Sequence, residues 1–213
     1  MRLTRSLLAF ACVVSSFSSA AKAAGSFEWR NPLQPCAGDC AVYGFVGSSV
    51  ATNVQDIFFK PIGPTAWNYS GGSIVGGAVS RRIATVFSVF DIESELGAAK
   101  RFGAQTEGEF WGAFYVRFTA FPWNDYVYTT LGLSTGLNYA TGISQFEKDH
   151  SKLDPPAGTH IQHYFSPELT FALPNHKERQ LVFRLHHRSG VYGLVSGALS
   201  GATYMTVGVR LWF

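Results

Sequence analysis

The sequence predicts an all-β protein, an eight-stranded antiparallel β-barrel of the kind that spans bacterial outer membranes. Three observations support this prediction. The chain opens like a secretory signal peptide, no later run of about 18 apolar residues could form a membrane helix, and several long segments alternate apolar and polar residues with a period of two. The chain is also 46% hydrophobic and contains 22 glycines, which fits a barrel.

The first 23 residues have the three-part layout of a signal peptide. Arg2 and Arg5 precede an apolar run, and small residues follow it up to Ala23. We expect cleavage after Ala23, with Ala24 as the alternative. The remaining residues 24–213 are enough for one domain, the predicted barrel.

The charge of the mature chain argues against nucleic acid as a partner. The whole chain carries 17 basic and 14 acidic residues. Arg2, Arg5 and Lys22 belong to the predicted signal peptide, so the mature chain has 14 residues of each sign. Its net charge is therefore near zero, whereas nucleic-acid binding needs a basic surface.

We expect residues 24–40 to form an irregular segment before the first barrel strand, called the lead-in, because Pro32 and Pro35 interrupt any strand pattern. Cys36 and Cys40 lie at its end. An oxidising compartment favours a local disulfide between them, and two free thiols are the alternative. Two cysteines without a nearby histidine make a poor zinc site. We expect no metal and no cofactor.

Four strands are predicted in the first half of the domain. Strand one begins near Ala41, and after a long connection strand two covers about residues 73–83. Strand three covers residues 90–101 and alternates apolar with acidic positions. Strand four, residues 109–118, places aromatic residues on one face.

Four more strands are predicted in the second half. Strand five has the strongest pattern, about 14 residues of period two over residues 126–139, which is long for a globular strand and suits a tilted membrane strand. A polar connection over residues 141–158 follows. Strand six covers residues 161–173, strand seven starts at Leu181, and strand eight covers residues 203–213.

The connections predict the orientation of the barrel. If the N-terminus lies in the periplasm, the long connections after strands one and five lie outside the cell, and two of the three periplasmic joins are short turns. Membrane barrels have this asymmetry. The terminal Phe213 also resembles the outer-membrane assembly signal, so we expect the bacterial outer membrane as the location.

Charged residues on the inward face of the strands would fill the barrel interior. Side chains occupy the lumen of a narrow eight-stranded barrel, which leaves a substrate no entrance. We therefore interpret these residues as a structural ion-pair network rather than as acid-base catalysts. Binding of a small apolar ligand in the lumen is a weaker alternative. The inward residues are Glu93, Glu95, Glu109, Glu168, Arg117, Arg184, Arg210 and His186.

Strand seven carries two polar residues on its lipid-facing side. Side chains two apart point the same way, so His187 and Ser189 share the apolar face, and Arg184 and Arg188 lie on the other. A lone outward histidine is more often an interfacial residue than a catalyst. An imidazole beside a hydroxyl, however, is the usual way to activate an oxygen nucleophile.

At these residues the chain resembles the PagL-type lipid A 3-O-deacylases, which are eight-stranded outer-membrane barrels. Their motif is His-x-Ser-Asn on the penultimate strand, and His187-Arg188-Ser189-Gly190 matches its histidine and serine. The resemblance implies an esterase that removes an acyl chain from lipid A. Ser189 would be the nucleophile, His187 the base, and lipopolysaccharide in the outer leaflet the partner. The oligomeric state stays open.

Two positions depart from the motif of that family. Gly190 replaces the asparagine that helps to hold the oxyanion, so only a backbone N–H could serve there. No Asp or Glu follows Glu178, so the family's glutamate on the last strand is absent. The alternative function is therefore a non-catalytic small barrel with a structural or interaction role.

Neighbouring strands could supply supporting residues to this pair. If strands seven and eight pair across their loop, Thr203 or Met205 would face Ser189 and His187. His163 on strand six also points to lipid. Simple pairing places Phe165 or Pro167 nearer to the pair than His163.

Overall fold

A computed structural model describes residues 27–60, 62–103, 105–149, 158–191, 194–196 and 201–213. The predicted signal peptide and its cleavage site lie outside these residues. Within them, no helix is both long enough and apolar enough to cross a membrane.

The described chain forms a sheet of ten strands with two short α-helices and a 3-10 helix. The strands are β1 Phe27–Trp29, β2 Cys40–Val50, β3 Tyr69–Val86, β4 Phe90–Phe102, β5 Gly108–Phe118, β6 Tyr128–Ala140, β7 Ile161–Phe165, β8 Glu168–Ala172, β9 Arg179–Ser189 and β10 Thr203–Trp212. The helices are α1 Val54–Phe59 and α2 Gln145–Asp149, and the 3-10 helix is Pro64–Ala66.

Hydrogen bonds close the sheet into a ring. Each long strand pairs antiparallel with both neighbours, β10 joins β2 to β9, and the pairing of β3 with β4 completes the circle. β7 and β8 are two halves of one crossing, since both lie between β6 and β9. The predicted eight-stranded antiparallel barrel is therefore confirmed.

The prediction that strand six is one continuous strand is wrong. Its pattern crosses Pro167, which has no N–H to donate, and the strand is interrupted there between β7 and β8. The Pro167 carbonyl still accepts a hydrogen bond from Leu185 N at 3.0 Å. The break thus leaves both halves paired with β9.

The lead-in and strand two also differ from the prediction. The lead-in is not wholly irregular, because β1 pairs with the end of β3, with Phe27 opposite Val86. β3 runs from Tyr69 to Val86 and is longer than predicted. It pairs with both β2 and β4, but its many small residues give only a weak alternating pattern in the sequence. Cys36 and Cys40 form a disulfide, with their Cα atoms 5.5 Å apart.

Ion pairs between inward-facing side chains occupy the lumen, as the alternation of the strands predicts. Arg117 donates to Glu93 at 2.6 and 3.0 Å, and Arg184 donates twice to Glu95 at 2.8 Å. Glu168 accepts from Arg184 at 2.8 Å and from Arg210 at 2.6 and 2.7 Å. These side chains are buried, so the ion pairs form a packed polar network in the interior, beside a cluster of buried aromatic and apolar side chains.

The two ends of the barrel differ in the length of their connections. The joins from β3 to β4, β5 to β6 and β8 to β9 lie at the end that holds β1 and the disulfide, and the first of them has only three residues, 87–89. The joins from β2 to β3, β4 to β5, β6 to β7 and β9 to β10 lie at the opposite end, and the first and third of them carry α1 and α2. We call this second end the mouth.

Candidate functional site

The predicted site residues lie on the outer surface of neighbouring strands near the mouth. His187 and Ser189 are at the end of β9, Thr203 begins β10, and His163 is in the middle of β7. β9 lies between β7 and β10. The alternation of β9 sets the face, because Arg184, His186 and Arg188 are fully buried in the lumen, which turns His187 and Ser189 outward.

The His187 ring is held by a hydroxyl of the last strand. Thr203 lies directly opposite His187, and His187 Nδ1 is 2.8 Å from Thr203 Oγ1. Of the two residues predicted to face the pair, Thr203 and Met205, only Thr203 does so, since Met205 lies opposite Leu185. A threonine hydroxyl can accept the Nδ1–H. In that arrangement Nε2 is the free basic nitrogen of the ring.

Ser189 lies beside a second histidine. His163 is its direct cross-strand partner, whereas Phe165 lies opposite His187. The expectation that simple pairing puts Phe165 or Pro167 nearer to the pair than His163 was wrong for Ser189, because the break at Pro167 sets the register of β7. Side chains of directly opposed residues are neighbours, so His163 belongs to the site.

Thr135 is a site residue that the sequence reasoning missed. Its Oγ1 is 2.9 Å from His163 Nε2 on the outer face of β6. The signal was present in the sequence, because Thr135 is a polar residue at an outward position between Leu133 and Leu137. Two histidine–threonine pairs thus flank the serine across four adjacent strands.

Not all of the predicted site residues are hydrogen-bonded to one another in the described chain. Among the described residues no hydrogen bond connects the His187 ring with Ser189 Oγ, and no carboxylate hydrogen-bonds to His187. The Gly190 carbonyl accepts from Val195 N at 3.1 Å and from Ser196 N at 3.4 Å. No group of three or more histidine, cysteine or acidic side chains in the described chain could hold a metal ion.

The inner face of the same segment anchors it to the barrel. Arg188 donates to Gln162 Oε1 at 2.9 Å and to the carbonyls of Thr159 and His160 at 2.9 and 3.1 Å. His186 bonds to Glu109, and its ring lies edge-on to that of Trp111. Because buried partners fix these inward side chains, the outward His187 and Ser189 have a rigid support.

A cavity of about 240 Å³ lies at the mouth, beside the site. Its lining comes from strand ends and from the connections between them, and includes Ser49, Gly72, Gln105, Ser144 and Thr203. Thr203, which holds the His187 ring, therefore also borders this cavity.

Comparison with known proteins identifies no family for the chain. No family model matches the sequence, and no curated protein matches it. Among solved structures, the crystal structure of Neisserial surface protein A (NspA) is similar over 84% of this chain and 100% of that chain, with a TM-score of 0.48 and 9% sequence identity. A likeness this distant supports no conclusion about the activity of the chain.

Proposed function

We propose that this protein is an outer-membrane esterase, similar to the PagL-type deacylases, that removes an ester-linked acyl chain from lipid A. The observation that carries the proposal is the contact between His187 Nδ1 and Thr203 Oγ1 on the outer face. When Thr203 accepts the Nδ1–H, Nε2 is the free basic nitrogen on a ring two residues from Ser189. A histidine fixed in this tautomer is the base that a serine nucleophile needs.

An apolar outer surface supports the membrane location. Large apolar side chains are exposed on every side of the barrel, which in water would be an unusually large apolar surface. A lipid-facing band explains it. These residues include Val46, Val79, Leu96, Phe110, Phe114, Leu133, Leu137, Leu169, Leu181 and Val209. With the longer connections outside the cell, the site faces the leaflet that contains lipopolysaccharide.

The proposed reaction is an acyl transfer to water in two steps. Ser189 Oγ attacks the ester carbonyl carbon while His187 Nε2 takes the hydroxyl proton. The bond from the carbonyl carbon to the sugar oxygen breaks, and that oxygen leaves as an alcohol with the proton from His187. Water then attacks the acyl-serine with His187 again as base, which releases the fatty acid and restores Ser189.

Thr203 replaces the missing acid only in part. A neutral hydroxyl orients the ring, but it does not stabilise the imidazolium as a carboxylate does. The backbone at Gly190 would supply the oxyanion donor, and loss of one side-chain donor costs about 100-fold or more in rate. We therefore expect slow turnover compared with an enzyme that has a complete triad.

Mass spectrometry of lipid A tests the proposal. Wild-type protein produced in a Gram-negative host should remove one hydroxyacyl chain, and Ser189→Ala should leave lipid A intact because the nucleophile is gone. Ser94→Ala is the matched control, since Ser94 lies on the same face of β4 as Ile92 and Leu96. Intact lipid A despite assembled wild-type barrel would refute the esterase, and full activity of Ser189→Ala would refute the assignment of the nucleophile.

The second candidate is a non-catalytic barrel with a structural or interaction role. It is favoured by the absence of a hydrogen bond between His187 and Ser189 in the described chain, and by the sequence after Glu178, which contains no acid. The same measurement separates the two functions, because this barrel leaves lipid A unchanged in both wild type and variant.

A further inference from the structure

Helix α2 places an acidic side chain inside the mouth of the barrel. Glu147 is fully buried although it belongs to a connection between strands. Its Oε1 is 3.6 Å from Arg188 Nε and 3.8 Å from Arg101 Nη1, which is too far for hydrogen bonds. Within the described chain neither carboxylate oxygen has a hydrogen-bond partner. A buried ionised carboxylate without such partners is costly.

The two arginines beside Glu147 are already engaged. Arg101 bonds to Glu109 and donates to Gln105 Oε1 at 3.0 Å. Arg188 donates to Gln162 and to two backbone carbonyls. Each guanidinium keeps one nitrogen without a hydrogen-bond partner in the described chain, Arg101 Nε and Arg188 Nη1, but neither of them donates to Glu147.

Acidic groups outnumber arginines around Glu147. Arg101 of β4 and Arg188 of β9 face three carboxylates, namely Glu147 itself, Glu109 of β5 and Glu107 of the connection before it. His186 of β9 bonds to Glu109, and Tyr204 of β10 bonds to Gln105 at 3.0 Å. Glu109 therefore shares Arg101 and His186, whereas neither oxygen of the buried Glu147 accepts a hydrogen bond within the described chain.

Ser144 accepts two hydrogen bonds at the start of α2. The Glu147 N–H donates to Ser144 Oγ at 3.2 Å, and Lys148 N donates to the Ser144 carbonyl at 3.2 Å. Both bonds lie within the helix and its start, so they do not attach it to the barrel wall. Glu147 and Ser144 are both buried, so their side chains form part of the contact between α2 and the barrel.

We propose that Glu147 is a proton-controlled latch that docks α2 over the mouth when protonated and releases it when ionised. Release uncovers Arg101 and Arg188 and opens the adjoining cavity, because Ser144 and Gln145 form part of its lining. The inference stands apart from the proposed esterase activity, since it concerns only the position of α2.

The direction of the pH dependence follows from linkage. Burial raises the pKa of Glu147 above its usual value of 4.5. The docked form therefore binds its proton more tightly than the released form does. Docking is fully favoured in acid, and this advantage is lost as the pH rises from 4.5 through the raised pKa.

Hydrogen exchange of the purified protein in detergent micelles tests the latch. After correction for intrinsic exchange, the opening of residues 145–149 should increase with pH by up to about tenfold per unit, the limit for one proton. Glu147→Gln should remove this dependence and stay protected. Asp56→Asn is the control, because Asp56 on α1 is a partly exposed acid with an i,i+4 partner, Lys60, at 3.0 Å.

Two results would overturn the latch. One is a wild-type opening equilibrium that does not change with pH, which needs no variant to observe. The other is a Glu147→Gln protein whose pH dependence equals that of the wild type and of Asp56→Asn. Since exchange does not depend on substrate, failure of the latch and failure of the esterase proposal are separate results.

Discussion

At the scale of single residues, Glu168 is the centre of the lumen. One carboxylate accepts hydrogen bonds from Arg184 and Arg210, and its Oε1 is also 2.7 Å from Arg117 Nη1. Together with Glu93 and Glu95, which also pair with these arginines, it balances three buried positive charges with three negative ones. Such networks are stable only when every charge has a partner.

Removing one of these charges should therefore strongly destabilise the barrel. We expect Glu168→Gln to lower the free energy of unfolding by about 3–5 kcal/mol, because three buried guanidinium groups would share two carboxylates. Urea unfolding of the barrel in lipid vesicles measures this. Glu178→Gln, a change of an acid in an exposed turn, is the control and should have no effect. Equal midpoints for both variants would contradict the role of Glu168.

At the scale of elements, the lead-in is attached to the barrel at several points. Arg81 Nη2 donates to the carbonyls of Asn31 and Gln34 at 3.1 and 2.6 Å, and Arg30 Nε is 3.1 Å from Asp39. The disulfide closes a loop with a sequence separation of only four. It thus restrains the lead-in locally rather than the whole sheet.

Loss of the disulfide should loosen the lead-in and spare the barrel. In the chain-entropy account, so short a loop contributes about 2 kcal/mol. We expect the double variant Cys36→Ser, Cys40→Ser to increase hydrogen exchange in residues 31–39, while β4 to β6 keep their protection. Faster exchange throughout these three strands would show instead that the disulfide supports the sheet.

Strand β9 shows how one element serves two environments. Its inward side chains Arg184, His186 and Arg188 bind the buried network, and its outward ones carry the candidate site. The period of two makes this division automatic. A change in register of one residue would exchange the two faces, so the lumen network also protects the position of the site.

At the scale of the whole molecule, the barrel is polar inside and apolar outside. Leu133 lies in the middle of β6 and is 48% exposed, surrounded by other outward apolar side chains. In water, an arginine at an exposed position changes stability by roughly 0.5 kcal/mol or less. At the centre of a bilayer it costs about 2–4 kcal/mol in a barrel.

Leu133→Arg therefore tests the membrane embedding of the barrel. We expect it to lower the free energy of unfolding in vesicles by about 2–4 kcal/mol, measured by urea titration. Leu33→Arg is the matched control, because Leu33 is 92% exposed in the lead-in, beyond the strands. Similar stability of both variants would count against a lipid-facing band.

The sequence by itself determined three properties: the alternation of inward and outward side chains, the number of strands that cross the barrel, and the acidic and basic side chains of the lumen. These properties depend on which face a residue occupies, and the period of two fixes that locally, as with Glu93 and Glu95 on β4 or Thr130 and Ser134 on β6. The pairing of His187 with Ser189 on one face follows from the same rule.

Only the tertiary structure decided which residues meet across strands. The register of each pair depends on closure of the complete ring and on the break at Pro167. Local sequence patterns contain no information about ring closure or about the register that follows the break. For this reason the opposition of His163 and Ser189, the contact of Thr135 with His163 and the burial of Glu147 beneath its helix required the folded barrel.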